Sequence, residues 1–169
     1  RNIWAVEESV KKAGGVALLN KAGHTFIKNR MRQEDALMAG EMSGHFYFRD
    51  FYYADNGLIP FLLFLNIVAT AKQPISKIIQ PLRDKYFVSG EINFEVADKE
   101  AMTKKIEEKY AAGSIDRTDG LSVSFNDWRF NLRASNTENL LRLNVEAKSQ
   151  TLIATKTKEL VDLLQPKSV

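Results

Sequence analysis

Residues 140–147 place Leu141, Leu143, Val145 and Ala147 on one side of an extended strand, because successive side chains in a strand point to opposite faces. A run with one apolar and one polar face commits this end of the chain to a sheet that is half buried. Residues 91–96 share the period. Asp119-Gly120 is a turn signal leading into residues 121–125, and Asn126-Asp127 turns the chain back into residues 128–132, which predicts a hairpin. Asp98 stands where it can cap a helix with Met102, Ile106 and Tyr110 on one face, ended by Gly113. Ser149 caps a last helix whose stripe is Ile153, Thr157, Leu160, Val161 and Leu164. Four strands and two helices predict a small α+β domain over residues 86–169.

Residues 1–82 follow another grammar. Val6 and Val10 lie at helical spacing in a segment closed by Gly14-Gly15. Residues 16–19 read as a short strand. The glycine turn Lys21-Ala22-Gly23 then opens a helix with Phe26, Ile27 and Met31 on one side. Residues 36–39 and 46–48 read as two strands, and 50–57 as a loop in which Asp55 or Asn56 caps the apolar helix Leu58–Ala71. That helix is as long as a buried core helix and shorter than the ~20 residues a membrane span needs. Pro74 opens a short helix over 75–79, which Pro81 ends or kinks. Alternating strands and helices predict a mixed α/β sandwich domain, truncated at its N-terminus, with a boundary between Pro81 and Tyr86.

Hydrophobic residues make up 44% of the 169, enough to bury a core, and the formal charge of +3 does not by itself imply a nucleic-acid partner. The absence of cysteine excludes disulfides and thiolate metal sites. The chain opens on Arg1-Asn2-Ile3-Trp4, without Met or a signal peptide, and so reads as a piece of a longer cytoplasmic protein.

Two polar clusters carry a binding vocabulary. Gly40-Glu41-Met42-Ser43-Gly44-His45 sets a carboxylate, a hydroxyl and an imidazole on the turn between two strands, where glycines allow positive φ and close approach of a ligand. An ordinary solvated hairpin loop is the alternative. His24 and Thr25 open a helix whose free N–H groups suit anion or hydroxyl contacts, whereas Lys28, Arg30 and Arg32 fit a solvated basic face. Arg133-Ala134-Ser135-Asn136-Thr137-Glu138-Asn139 offers a guanidinium, two hydroxyls, an amide and backbone N–H groups, the equipment for a phosphate dianion. Ser/Asn/Thr loops with a surface arginine are also common turn chemistry. A phosphorylated polyol fits both clusters.

Three blocks, Gly23-His24-Thr25-Phe26-Ile27-Lys28, Gly40 through His45, and Arg133 through Glu138 with Leu141-Arg142-Leu143-Asn144-Val145-Glu146-Ala147, resemble the α-D-phosphohexomutases, in their phosphomannomutase/phosphoglucomutase branch. The resemblance runs over nearly the whole chain and implies the third and fourth domains of a four-domain enzyme: a sugar-binding domain over 1–82 and a phosphate-binding domain over 86–169. It implies that Glu41 and Ser43 bind sugar hydroxyls, that His24 and His45 approach the sugar and its reacting end as acid/base or positioning groups, and that Arg133, Ser135, Asn136 and Thr137 hold the non-reacting phosphate. It further implies interconversion of hexose 1-phosphate and hexose 6-phosphate through a phosphoserine enzyme and a hexose 1,6-bisphosphate, with Mg²⁺ held elsewhere in the parent protein.

The sequence departs from that family in having Asn139 where Pro often stands, and in lacking a Ser-His-Asn-Pro-type serine loop and an Asp-x-Asp-x-Asp metal loop. No catalytic nucleophile or metal ligand is therefore assigned here, and the chain is expected to be inactive without the N-terminal domains of its parent. Met42 favours unsubstituted glucose or mannose phosphates over the glucosamine phosphates of a similar branch. The rival readings are a phosphoglucosamine mutase fragment and a non-catalytic anion or nucleic-acid module built on Lys28, Arg30, Arg32 and the aromatics of 46–53. No membrane partner is expected.

Overall fold

The computed structural model describes residues 4–135 and 138–165. The chain divides into two compact units, one of Val6–Leu82 and one of Arg83 onward together with residues 4 and 5.

The first unit begins at Val6, within α1 (Trp4–Lys12). It ends in a left-handed turn at Gly14 (φ 80°), whose N–H donates to Lys11 O while Gly15 N–H donates to Val10 O. This pair of bonds satisfies carbonyls that the last helical turn would leave open. Of the expected Val6/Val10 stripe, Val6 is half exposed, and the buried residue is Ala5. Residues 15–21 form no strand, contrary to the apolar run at 16–19. A strand exists only as part of a hydrogen-bonded ladder, and this segment pairs with no other among the described residues, leaving Val16 82% exposed.

Helix α2 (His24–Glu34) buries Ile27 and Met31, while Phe26 lies half exposed under the Lys21 ammonium. The strands β1 (Met38–Gly40), β2 (Phe46–Phe48) and β3 (Ala54–Asp55) form an antiparallel sheet in chain order. Tyr47 of β2 is fully buried with Ile27 and Met31. The expected loop at 50–57 thus holds a 3₁₀ turn at Arg49–Phe51 and the two-residue β3. Tyr52 and Tyr53 stand at φ 56° and 55° in between, a conformation that residue propensity does not announce.

Asn56 caps the next helix, accepting from Ile59 N–H at 2.9 Å, while Asp55 is used elsewhere. Helix α3 (Leu58–Ala71) has the expected span but buries no residue. Leu58, Phe61, Leu62, Leu63, Phe64, Leu65 and Ile67 all stand open to solvent. It is apolar all round, so its sequence favours no face, and no described element covers it. Helix α4 (Ile75–Lys85) runs through Pro81 instead of stopping near it. Proline removes one ladder bond at this position, and on an exposed helix water can take the freed carbonyl. No single described helix is long and apolar enough to cross a membrane; α3 and α4 reach that length only together, across a 98° bend.

The second unit is a five-stranded antiparallel sheet of β4 (Phe87–Glu95), β5 (Ser114–Asp116), β6 (Leu121–Ser124), β7 (Trp128–Ala134) and β8 (Leu140–Ala147), in the order β4-β8-β7-β6-β5. The α+β class is as expected, with a fifth strand added to the four. Three residues at an edge, one of them apolar, are too few to show a period.

Helix α5 (Lys99–Lys109) is capped by Asp98, whose Oδ1 accepts from Ala101 N–H at 2.9 Å. Helix α6 (Gln150–Leu164) is capped by Ser149. Ile106, Leu121, Val123, Phe130, Leu132, Leu141, Leu143, Val145, Leu160 and Leu164 form the core. Glu146 is buried and accepts from Arg129 Nε at 2.7 Å and from Trp4 N–H at 3.0 Å. Strand β4 changes phase within itself: a bulge lies between Val88 and Glu91 with Gly90 at φ 72°. There the Ser89 hydroxyl accepts from Val145 N–H at 2.9 Å, in place of a ladder carbonyl.

Candidate functional site

In the first unit the β1–β2 turn is closed by Gly44 N–H donating to Glu41 O at 3.0 Å and Glu41 N–H donating to His45 O at 2.9 Å. Gly44 has φ 87°, the conformation for which a glycine was expected; Gly40 instead lies in β1 against the Phe46 ring. Met42 and Ser43 stand exposed at the tip.

The Glu41 carboxylate is fixed from two sides. Oε1 accepts from Gly23 N–H at 2.9 Å, and Oε2 accepts from the Tyr47 hydroxyl at 2.6 Å. Burial, followed by the hydrogen bond to Glu41, pushes the Tyr47 phenol above its ordinary pKa, so it stays a donor. A carboxylate has about four lone-pair positions. Among the described residues Gly23 and Tyr47 occupy two, and the others can accept from a ligand.

Both histidines of the chain meet here. The ring centroids of His24 and His45 are 4.8 Å apart, and His24 lies edge-on to Tyr47 at 5.3 Å. His24 is exposed at the first position of α2, behind Gly23 at φ 120°. His45 Nδ1 lies 2.7 Å from Asp55 Oδ2, and Asp55 Oδ1 accepts from Phe46 N–H at 3.1 Å. The His45 hydrogen bond above all, helped by that N–H and opposed by desolvation, holds the Asp55 carboxyl below its ordinary range. Sequence reasoning singled out His24, Glu41, Ser43 and His45 but not Tyr47 and Asp55, which hold Glu41 and His45 in place. Tyr47 looked like a core residue and Asp55 like a helix cap; only the pairing of β3 with β2 reveals their roles.

In the second unit Arg133 lies near the end of β7, where its Nη1 is 3.9 Å from the buried Asp119 carboxylate. Its Nε is buried with no hydrogen-bond partner among the described residues. Arg142 lies directly across on β8, paired with Glu138 at 2.9 Å and 3.7 Å from Glu91. The ladder thus brings two guanidiniums to facing positions, each with a carboxylate nearby, and guanidinium is a strong donor to an anion. Ser135 is buried, with its Oγ accepting from Glu138 N–H at 3.3 Å. Asn136 and Thr137 lie outside the described residues.

Lys99, unremarked in the sequence, straps this loop by donating to Glu138 O at 3.2 Å. Gly120 packs against the end of β7 at φ 78°, where an added Cβ would stand 2.7 Å from Leu132 O and 3.0 Å from Arg133 Cα. Gly120→Ala is therefore expected to cost about 2 kcal/mol through backbone strain, read from the urea midpoint by tryptophan fluorescence. An unchanged midpoint would mean that the turn relaxes without involving Arg133.

The basic residues of α2 are largely used within the chain. Arg30 pairs with Glu34 at 2.9 Å, and Arg32 stacks over Tyr53 while donating to Lys28 O.

Residues 2–86 match the family described as phosphoglucomutase/phosphomannomutase, alpha/beta/alpha domain III, and residues 91–163 match the phosphoglucomutase/phosphomannomutase C-terminal domain. A phosphomannomutase of Salmonella montevideo is 47% identical over 167 residues, covering 97% of this chain and 37% of that protein. One from Methanocaldococcus jannaschii is 39% identical, covering 94% and 35%. The crystal structure of a phosphoglucomutase/phosphomannomutase family protein from Burkholderia thailandensis superposes with a TM-score of 0.77 at 29% identity, over 95% of this chain and 35% of that one. The chain thus spans little more than a third of the length of these relatives. It belongs to the phosphoglucomutase/phosphomannomutase family, of which it carries the third and C-terminal domains.

Proposed function

We propose that this chain supplies the sugar-hydroxyl and phosphate contacts of a phosphohexomutase that interconverts hexose 1-phosphates and hexose 6-phosphates, with glucose and mannose as the sugars. The observation that carries the reading is the Glu41 carboxylate, held at 2.9 and 2.6 Å by Gly23 and Tyr47 with acceptor capacity to spare. A vicinal pair of hydroxyls can donate to both of its oxygens, with Ser43 adding a third polar contact from the turn. His45, oriented by Asp55, and the exposed His24 have the chemistry to pass a proton or position a hydroxyl. Arg133 and Ser135 supply the phosphate contacts on the second unit, and Asn136 and Thr137 complete that loop by sequence.

The turn of the first unit carries groups suited to hydroxyls, and the loop of the second unit carries groups suited to a phosphate. The phosphoserine, the bisphosphate intermediate and the Mg²⁺ belong to the parent enzyme in this reading. Mg²⁺ prefers an octahedral shell of oxygens. Among the described residues the one set able to hold a metal contains two imidazoles, which does not suit Mg²⁺. Arg30 and Arg32 already have partners, which favours the sugar-phosphate reading over a nucleic-acid one.

Titration of the 169-residue chain with mannose 1-phosphate or glucose 1-phosphate, followed by amide chemical shifts, tests the reading. Saturable shifts at residues 41–45 and 133–138 are expected, without mutase turnover. Shifts elsewhere only, or none at millimolar ligand, would count against it, and turnover by the chain alone would overturn the assignment of the nucleophile to the parent protein.

A further inference from the structure

We infer that His24, His45 and Asp55 form a binding site for a divalent transition-metal ion of the zinc or cobalt kind. The ligating atoms of the three side chains lie within 4.8 Å of one another, two imidazole nitrogens and a carboxylate oxygen. This donor set suits Zn²⁺ and Co²⁺, and three protein ligands leave room for water in the remaining position. The residues come from separate places in the first unit: His24 from the start of α2, His45 from the end of the turn before β2, and Asp55 from β3.

Two of the ligands are already placed. Asp55 Oδ1 is anchored by Phe46 N–H, and its Oδ2 stands 2.7 Å from His45 Nδ1. A metal ion entering between them takes the place of the hydrogen they share, and His45 then binds through Nδ1 as the neutral ring that carries its hydrogen on Nε2. Donor atoms around a tetrahedral zinc stand about 3.3 Å apart, given metal–ligand bonds near 2 Å. The His45–Asp55 pair, at 2.7 Å, has to open by about 0.6 Å, and His24 has to close on it. His24 is exposed, so its side chain can make that movement. The Asp55 carboxylate also offsets the positive end of the α2 dipole, which would otherwise disfavour a cation beside His24.

The composition makes the inference sharply testable. The chain has two histidines, both in this cluster, and no cysteine, so any imidazole zinc site within one chain must use one or both of these rings. The reading is independent of the sugar assignment, since zinc alone is the probe.

Calorimetric titration of the untagged chain with ZnCl₂ is expected to give one ion per chain, and CoCl₂ to shift and broaden the ring resonances of both histidines. His24→Gln and Asp55→Asn are each expected to weaken zinc binding by roughly tenfold or more, the usual penalty for losing a ligand or its support. MgCl₂ at the same concentration is expected to leave the histidine resonances in place. Because His24 is exposed, His24→Gln keeps the fold, which circular dichroism checks. Absence of saturable zinc binding, or binding of unchanged strength in His24→Gln, would overturn the inference.

Discussion

Leu143→Ala is expected to lower the stability of the second unit by about 3–4 kcal/mol, the range for emptying a fully enclosed leucine site. Leu143 has no exposed surface. It sits on β8, which is hydrogen-bonded on both sides, pairing with Ile92 on β4 and Leu132 on β7. The site cannot collapse readily, because the strands on either side are held in register by their own ladders. Against the 5–15 kcal/mol typical of a whole domain, this is a large fraction. Both tryptophans, Trp4 and Trp128, are grouped with this unit, so their fluorescence follows its urea unfolding without interference from the first. The midpoint should fall while the slope stays constant. A loss below about 1 kcal/mol would show that the core closes over the gap.

Glu41→Gln is expected to weaken binding of mannose 1-phosphate by roughly 10–100-fold, since hydrogen bonds to a charged group contribute about 1.5–3 kcal/mol each. The substitution is chosen to separate binding from folding. Glutamine keeps an oxygen for Gly23 N–H and turns its NH₂ toward the Tyr47 oxygen, so the internal contacts at 2.9 and 2.6 Å have substitutes. What it removes is the negative charge that receives the sugar hydroxyls. Glu41→Ala would be less informative, because it strands the hydroxyl of the fully buried Tyr47. Amide-shift titrations that saturate for the unsubstituted chain should stay far from saturation for Glu41→Gln. Equal affinity in both would reduce Glu41 to a brace for the turn.

These contrasts also show what was legible in the sequence. Helices α5 and α6 and the β6–β7 hairpin were readable because their signals are local: a capping Asp98 or Ser149, a turn at Asn126-Asp127, and side chains repeating at the right period. Residues 16–19 have strand composition, yet strand formation depends on a distant partner that composition does not report. Pro81 signals a break, but it sits on a helix open to water that tolerates it. The phase change in β4 was hidden because its pivot is the Ser89 hydroxyl standing in for a carbonyl of the ladder.

The same division holds at the candidate site. Glu41, Ser43 and His45 were readable as a polar cluster between glycines, whereas Tyr47 and Asp55 resemble packing and capping residues until β3 folds back on β2. Arg142 was visible only as part of a motif; its position opposite Arg133 depends on the register of β7 and β8.

Helix α3 has a thermodynamic consequence. Unfolding normally hydrates apolar surface that was dry, and this newly wetted area sets the heat-capacity increment and the sensitivity to denaturant. From Leu58 to Ile67 much of that surface already faces water in the folded chain. Its hydration therefore largely cancels between the two states. The heat-capacity change per residue of the first unit is therefore expected to lie below that of an ordinary domain, with a correspondingly flat dependence of its stability on temperature.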